Sequence, residues 1–456
     1  MSKLDVSKID AEGFPNKTGI RLRPDGLGGH HWDHWFPIGG IFAPIKLSYE
    51  GIFAFDVRDK SLWAWGNNTD GKCGIGSATL AILSPTRVAG EHRFRMIGCT
   101  EQNNENHAVA LREDGTAWSW GSGVAGRLGV GSIVSYNSPV SVHGNHTFVK
   151  VVARDGGCTG LRKDGTVWSW GSGADGVLGD DTIIDKLTPV SVVGGHSFVD
   201  IEVHARRILA IKEDGTVWSW GNNDNGTLGL GDIVHRSSPV MIVGHVFTRI
   251  GTSNAWGDFV DSSYGFKEDD SLWMWGNGTY GVLGNGSISD KFVPTSVSGG
   301  HNFVDIQVYD HVIALREDGT AWSWGHNLNG EIGNNTSPTD LNVPTSVNGG
   351  HIFVKVARLH SSSYGIDENG QVWSWGFNTF GELGDGTTIG KLVPVSVTGN
   401  HSFVDIIGAN EATIAARKDD GSLWMWGSHG DGQCGDGTAI TDAKPDPVMV
   451  LHNFGW

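Results

Sequence analysis

Four residues near the N-terminus, His30, His31, Asp33 and His34 in "GGHHWDHW" (Gly28–Trp35), gather imidazole and carboxylate groups, which zinc and other transition metals accept as ligands. Their spacing lacks the two-plus-two arrangement of a known zinc site, so packing of a His- and Trp-rich arm is the preferred reading. A second cluster, Trp256, Asp258 and Phe259, lies in "TSNAWGDFVDSSYG" (Thr252–Gly265). Aromatic anchors beside a carboxylate suit a protein contact or, as an alternative, carbohydrate recognition. The bland alternative is a loop folded over the body with Trp256 tucked inside. Gly-x-Gly-x-x-Gly occurs in "GSGVAG" (Gly121–Gly126), but that pattern cradles phosphates only where it opens a helix. Asp/Asn-rich turns such as "NNDNG" lack the downstream Glu of a calcium loop. There is no nucleophile elbow, no His-Glu-x-x-His and no phosphate loop. The sequence nominates no catalytic residue and no cofactor, and an enzyme is not expected.

What must position these clusters is a repeat. Trp-x-Trp-Gly recurs at Trp63/Trp65, Trp118/Trp120, Trp168/Trp170, Trp218/Trp220, Trp273/Trp275, Trp322/Trp324, Trp373/Trp375 and Trp424/Trp426. The intervals are 55, 50, 50, 55, 49, 51 and 51 residues, and the motif uses 16 of the 20 Trp. Gly-Gly/Asn-His-x-Phe ("GGHSF", "GNHTF") and Pro-Val/Thr-x-Val ("SPVSV", "VPTSV") keep the same period. The eight repeat histidines, His92 through His452, are spread too evenly to converge on one metal and read as structural.

Each unit reads as four short strands. In the fourth unit these are His196–Val203, Ile208–Glu213, "TVWSWG" and "SPVMIV". An Asp-Gly between the second and third predicts a type I′ hairpin, and Pro opens the fourth as an edge or strand-start residue. No segment has helical periodicity. Four strands per unit repeated around a ring is an all-β β-propeller of about eight four-stranded blades, with a seven-bladed ring plus an extra unit as the alternative. Both indoles of a motif point to one face of their strand and the small residue between them to the other. Each Trp can bury roughly 150–250 Å², worth at most about 4–6 kcal/mol. Sixteen could not stay exposed on a soluble protein, so the pairs are read as core.

The chain of 456 residues carries 33 Lys+Arg against 50 Asp+Glu, a formal charge of −17, with no basic run. Such a surface repels phosphate backbones, so nucleic acid is not an expected partner. No window approaches 18 apolar residues, so no membrane insertion is expected. "MSKLDVSKIDAEG" shows no secretory signal, so the protein is expected to be made in a reducing cytosol, and to end in the virion if it is phage-encoded. Four Cys are too few to staple the chain, and Cys73 and Cys434 occupy a slot that is Leu or Ile elsewhere, so free buried thiols are expected.

The pattern "ALREDGTAWSWG…GRLGVGS…SPVSV", from about Gly39 to the C-terminus, resembles the regulator of chromosome condensation repeat family. That resemblance implies a propeller that binds proteins through its loops; fold alone does not fix an activity. The division expected is an irregular arm over 1–37 and the propeller over 38–456, with "GGIF" opening blade one and "HNFGW" closing onto it. Loops that differ between repeats are the candidate contacts. The unit from His245 is longest, with 28 residues to Trp273 against 22 from His196 to Trp218, and "CTEQNNENH" (Cys99–His107) is a smaller insertion. The equivalent loops carry Arg206, Arg207, Tyr309, Asp310 and His360, which together could line one face of the ring. The expected role is a non-catalytic protein-interaction scaffold. The preferred setting is a bacteriophage virion or tail, with the arm docking to virion subunits and the loops facing a host-surface receptor. A bacterial regulatory protein-binding propeller and a carbohydrate-binding receptor-recognition module are the alternatives.

Overall fold

In the computed structural model, residues 42–48, 51–56, 59–99, 106–253, 260–409, 412–439 and 443–451 are described. They form eight four-stranded antiparallel sheets, each a simple meander in chain order. Blade four is typical, with strands Asp200–His204, Arg207–Ile211, Thr216–Gly221 and Arg236–Val246. Its first strand begins at Asp200 rather than at His196, because His196 and Phe198 belong to the connection that packs on the tryptophans. First strands of successive blades meet around the axis, including the first strand of blade eight against that of blade one. The ring is therefore an eight-bladed propeller with no leftover unit.

The third strand carries the tryptophan pair, and the two indoles do different jobs. The second Trp of every pair, from Trp65 to Trp426, is fully buried. In every blade the register between third and fourth strands shifts across this residue, as between Ser219 and Gly221. Such a bulge re-aims a side chain, and here it sends the indole to the preceding blade. Seven of these indoles donate to a backbone carbonyl there at 2.8–3.1 Å: Trp65 to Gln433, Trp120 to Lys72, Trp220 to Val177, Trp275 to Thr227, Trp324 to Val282, Trp375 to Glu331 and Trp426 to Glu382. Trp170 sits in the same place, but its N–H has no acceptor.

The first Trp of each pair is only partly buried, so it is not interior in the way the sequence suggests. From blade two onward it packs against the repeat histidine in tilted geometry, edge-on for His245, with ring centroids 3.8–5.1 Å apart. Burial, the first cause in each case, holds these histidines below their usual pKa range. Neutral rings suit this packing role.

Two glycines make the close approach between blades geometrically allowed. A Cβ on Gly229 would lie 2.8 Å from the Trp275 indole nitrogen, and one on Gly226 would lie 2.4 Å from the Phe292 ring of the next blade. Both have positive φ, +72° and +74°, where glycine avoids the Cβ penalty. The turn also donates a backbone hydrogen bond to the next blade's fourth strand, as Gly231 N–H does to the Phe292 carbonyl at 2.8 Å. The same bond runs from Gly437 to the Leu83 carbonyl at 2.9 Å, so blade eight joins blade one as any other pair joins. Trp65 packs with Leu423, Met425 and Cys434 across that junction. "HNFGW" lies at residues 452–456, outside the described residues.

The second-to-third-strand hairpin corrects the expected type I′ turn. Only the glycine of each Asp-Gly has positive φ, as at Gly215 (φ +76°); Asp214 does not. Gly215 N–H donates to the Lys212 carbonyl, and the Asp214 carboxylate accepts from the Thr216 N–H (2.9 Å) and hydroxyl (2.6 Å). That is a type I turn followed by a left-handed residue, favoured because the aspartate closes the turn with its own side chain. The Gly-x-Gly-x-x-Gly segment "GSGVAG" ends in a three-residue 3-10 turn, Val124–Gly126, and not at the start of an α-helix, the setting a dinucleotide site requires. All four cysteines are free and buried, and burial pushes the Cys73 and Cys434 thiols up to about 12.

His107 ties blade two to blade three, its Nε2 donating to the Gly157 carbonyl at 3.0 Å. Burial first, and the Arg127 charge second, lower its pKa to about 3. Unfolded chains then bind the extra proton between pH 6.5 and about 3, so this contribution to stability is complete above pH 6.5 and lost as pH falls.

Two predictions follow from this packing. Gly195 has φ +62° with nothing near its Cβ position, so Gly195→Ala should cost only the left-handed penalty, about 1 kcal/mol. Gly229→Ala should cost that plus about 1–3 kcal/mol of overpacking; equal midpoints in urea would contradict the clasp. His107→Gln should lose about 2 kcal/mol less stability than wild type between pH 6.5 and 4.5. Parallel stability-pH curves would show that His107 does not titrate as described.

Candidate interaction surface

Because each blade is an antiparallel meander, its first-to-second and third-to-fourth connections emerge on one face. The other two connections emerge opposite. First strands surround the axis, so the first-to-second connections ring the centre of that face and the third-to-fourth loops form its outer margin. Hairpins and outer loops repeat closely from blade to blade. The first-to-second connections differ most, from 205–206 in blade four to 253–261 in blade five.

Arg206, in the 205–206 connection, is half-exposed and reaches back to blade three. Its Nη1 lies 2.8 Å from Asp175 and its Nε 3.8 Å from Asp155. His235 of the outer loop stands 3.7 Å from the same Asp175. Arg207 points the other way and is 1% exposed. It pairs with Asp261 of blade five at 2.8 Å and donates to the Ser262 carbonyl at 3.0 Å. This side chain does not reach the surface. It is a between-blade tie, and removing it would leave Asp261 with only His204, 3.6 Å away, in a partly buried setting.

Two blades further on, in blade six, Tyr309 and Asp310 are also buried, at 7% and 6% exposure. Asp310 accepts from His311 Nδ1 at 3.1 Å and lies 3.5 Å from His326. Burial alone would raise the Asp310 carboxyl, but the His311 hydrogen bond and the surrounding histidines hold it below the usual carboxylate range. His311 Nε2 meets the Ser363 hydroxyl of blade seven at 3.0 Å. Tyr309 is covered by the Arg358 guanidinium at 4.6 Å and meets the His360 ring edge-on at 4.9 Å. His360 itself is exposed.

Of the five residues expected to line one face, Arg206 and His360 present surface there, while Arg207, Tyr309 and Asp310 serve the walls between blades. Their burial follows from position, at or next to the start of a second strand, where neighbouring blades are close. Trp256, Asp258 and Phe259 lie outside the described residues, as do His30, His31, Asp33 and His34. Among the described residues no group of three or more His, Cys, Asp and Glu is placed to hold a metal. No helix among them is long and apolar enough to cross a membrane. The sequence reading missed Asp155, Asp175 and Asp261, the carboxylates that answer the two arginines. Aligning the repeats position by position would have signalled Asp175, which stands where blade two has Ala125.

Known proteins share this architecture. The ultraviolet-B receptor UVR8 of Arabidopsis thaliana is 28% identical over 177 residues, 37% of this chain and 40% of the receptor. Protein RCC2 of Mus musculus is 33% identical over 89 residues, 19% of this chain and 17% of RCC2. The chain thus spans less than half the length of either relative. Yeast RCC1 (Prp20), solved bound to Kap60, superposes with a TM-score of 0.58 at 20% identity, covering 79% of this chain and 87% of that one, a likeness of fold. Residues 114–159, 164–211, 214–251, 269–315 and 369–416 match the regulator of chromosome condensation (RCC1) repeat, and residues 308–331 match a second form of it. With over half its length so matched and eight copies of the motif closing one ring, the chain belongs to the RCC1 repeat family.

Proposed function

We propose that this protein is a non-catalytic interaction scaffold that meets other proteins through the face carrying the first-to-second-strand connections. The observation that carries this reading is the concentration of difference there. The blades otherwise repeat one plan, whereas the connections between first and second strands vary in length, from 205–206 to 253–261. A rigid frame presenting variable loops is how a fold acquires a partner without changing its core. Arg206 is its best-supported contact residue. It is held half-exposed by two carboxylates, so little side-chain entropy is lost on binding. Support from the family is general: yeast RCC1 (Prp20) was solved bound to another protein, Kap60.

The finer setting, a virion or tail-associated protein attached through residues 1–37, rests on the sequence alone. None of the relatives named above is described as a virion protein. Arg206→Glu with His360→Glu should weaken capture of a bound partner at least about tenfold while leaving the melting temperature within a few degrees. Unchanged capture would move the contact off this face. Removal of residues 1–37 should abolish co-purification with virion subunits; a truncated ring that keeps every partner would refute attachment through the arm.

A further inference from the structure

The second strands divide the blades into two kinds that alternate along the chain. In blades two, four, six and eight they read "HAVAL", "RILAI", "HVIAL" and "TIAAR", with an apolar residue second and alanine fourth. In blades three, five and seven they read "GCTGL", "SSYGF" and "SSYGI", with Cys or Ser second and glycine fourth. The two kinds are not interchangeable, since a Cβ on Gly265 would lie 2.6 Å from the Phe247 ring. Blade one has Gly51 in the first place but Ala54 in the fourth.

The first strands alternate in charge. Opposite the last of those five positions stand Lys150, Asp200, Arg249, Asp305, Lys355 and Asp405, in blades three to eight in turn. Met96 holds the place in blade two. Each cation reaches the first strand of the following blade. Lys150 Nζ lies 3.0 Å from Asp200 and 3.1 Å from Glu202, Arg249 donates to the Val304 carbonyl at 3.1 Å, and Lys355 pairs with Asp405. Each collar carboxylate is fixed by accepting the next residue's N–H at 2.8–2.9 Å. Asp305 has cations on both sides: burial raises its carboxyl, and the charges of Lys355 and Arg249 oppose that rise.

The ties between blades follow the same alternation. Junctions three/four, five/six and seven/eight are closed by these cations, at the start of the first strands. Junctions two/three, four/five and six/seven are closed at the other end, by the long side chain that begins the second strand. There His107 meets the Gly157 carbonyl, Arg207 meets Asp261 and the Ser262 carbonyl, and His311 meets the Ser363 hydroxyl. Arg95 of blade two adds a bond to the Phe148 carbonyl of blade three at 2.9 Å.

We propose that this alternation fixes the order of the blades and the parity of the ring, so that the building unit is a pair of blades and the ring closes with an even number of them. Repeats this similar could meet in many orders, and misassembly is a characteristic failure of repeat proteins. Choosing among near-identical partners requires that wrong pairings be repelled as well as right ones attracted. Two blades of the lysine and arginine kind side by side set cation against cation where a carboxylate belongs. Two of the other kind bring a His or Arg side chain against a second long side chain, where only Gly or Ser leaves room. A ring of seven must contain one such junction, and a ring of eight need contain none.

Exchange of whole blades within the full chain tests this. Exchanging blades four and six, residues 200–246 and 303–346, keeps the alternation, and that variant should melt cooperatively within about 10 °C of wild type. Exchanging blades four and five, residues 200–246 and 249–296, breaks it at two junctions, and that variant should melt at least about 10 °C below the first or fail to fold. Equal melting of the two variants overturns the inference, as does a four-five exchange that folds better than the four-six exchange. If neither folds, point variants decide. Lys355→Asp should lower the melting temperature by several degrees. Adding Asp405→Lys rebuilds that ion pair with its signs reversed but leaves a carboxylate at 355 facing Asp305, so less than half of the loss should return. Full recovery would make Lys355 and Asp405 an isolated pair and overturn the inference.

Discussion

In seven of the eight motifs the indole N–H of the second tryptophan reaches out of its own blade to a carbonyl on the turn of the preceding one, Trp170 filling the same place without an acceptor, and the ring depends on that reach. An indole that large is buried without penalty only if its one polar atom finds an acceptor. The acceptor turn can come close only because glycines stand where any side chain would collide, at Gly229 under Trp275 and at the equivalent positions around the ring. The bulge at each second Trp supplies the aim. Tryptophan, glycine and bulge are thus one device repeated, and the high glycine count is its consequence. Blade eight meets blade one through the same device, Trp65 on the Gln433 carbonyl, so the ring closes by side-chain packing between whole blades. Among the described residues, each four-stranded sheet is built from strands consecutive in the chain.

Much of this was legible in the sequence because repetition makes one chain its own alignment. The tryptophan spacing counts eight units, while a seven-bladed ring with an extra unit is excluded only by the eight sheets of the structure; strand alternation places both indoles on one side. The distinction between the two indoles was not legible. Trp218 and Trp220 look equivalent in a period-two pattern, and only the register shift after Ser219 separates them. The hairpin type was missed for a related reason. Asp-Gly is a strong type I′ signal, but the threonine two residues on gives the Asp214 carboxylate two donors, and that tips the backbone to a type I turn.

The interaction face was only partly readable. Arg206 and Arg207 are neighbours in sequence with opposite roles, one half-exposed on Asp155 and Asp175, the other buried against Asp261. Sequence cannot tell them apart because their partners come from different blades, distant along the chain. Tyr309 and Asp310 share that fate. The Asp310 carboxylate is taken up by His311 and His326 and the Tyr309 ring is covered by Arg358, so residues that look reactive in isolation are structural in context. What is left to meet other molecules is a small set of exposed groups on a frame that is otherwise the same eight times.

Hydrogen exchange at the indole nitrogens, followed by nuclear magnetic resonance, reads the central claim directly. The account predicts two classes in the native protein. Indole protons of Trp65, Trp120, Trp220, Trp275, Trp324, Trp375 and Trp426 should exchange far more slowly than those of Trp118, Trp168, Trp322 and the other first-position residues. A single class, with the second-position indoles exchanging as fast as the first, would mean the blades are not held together in this way.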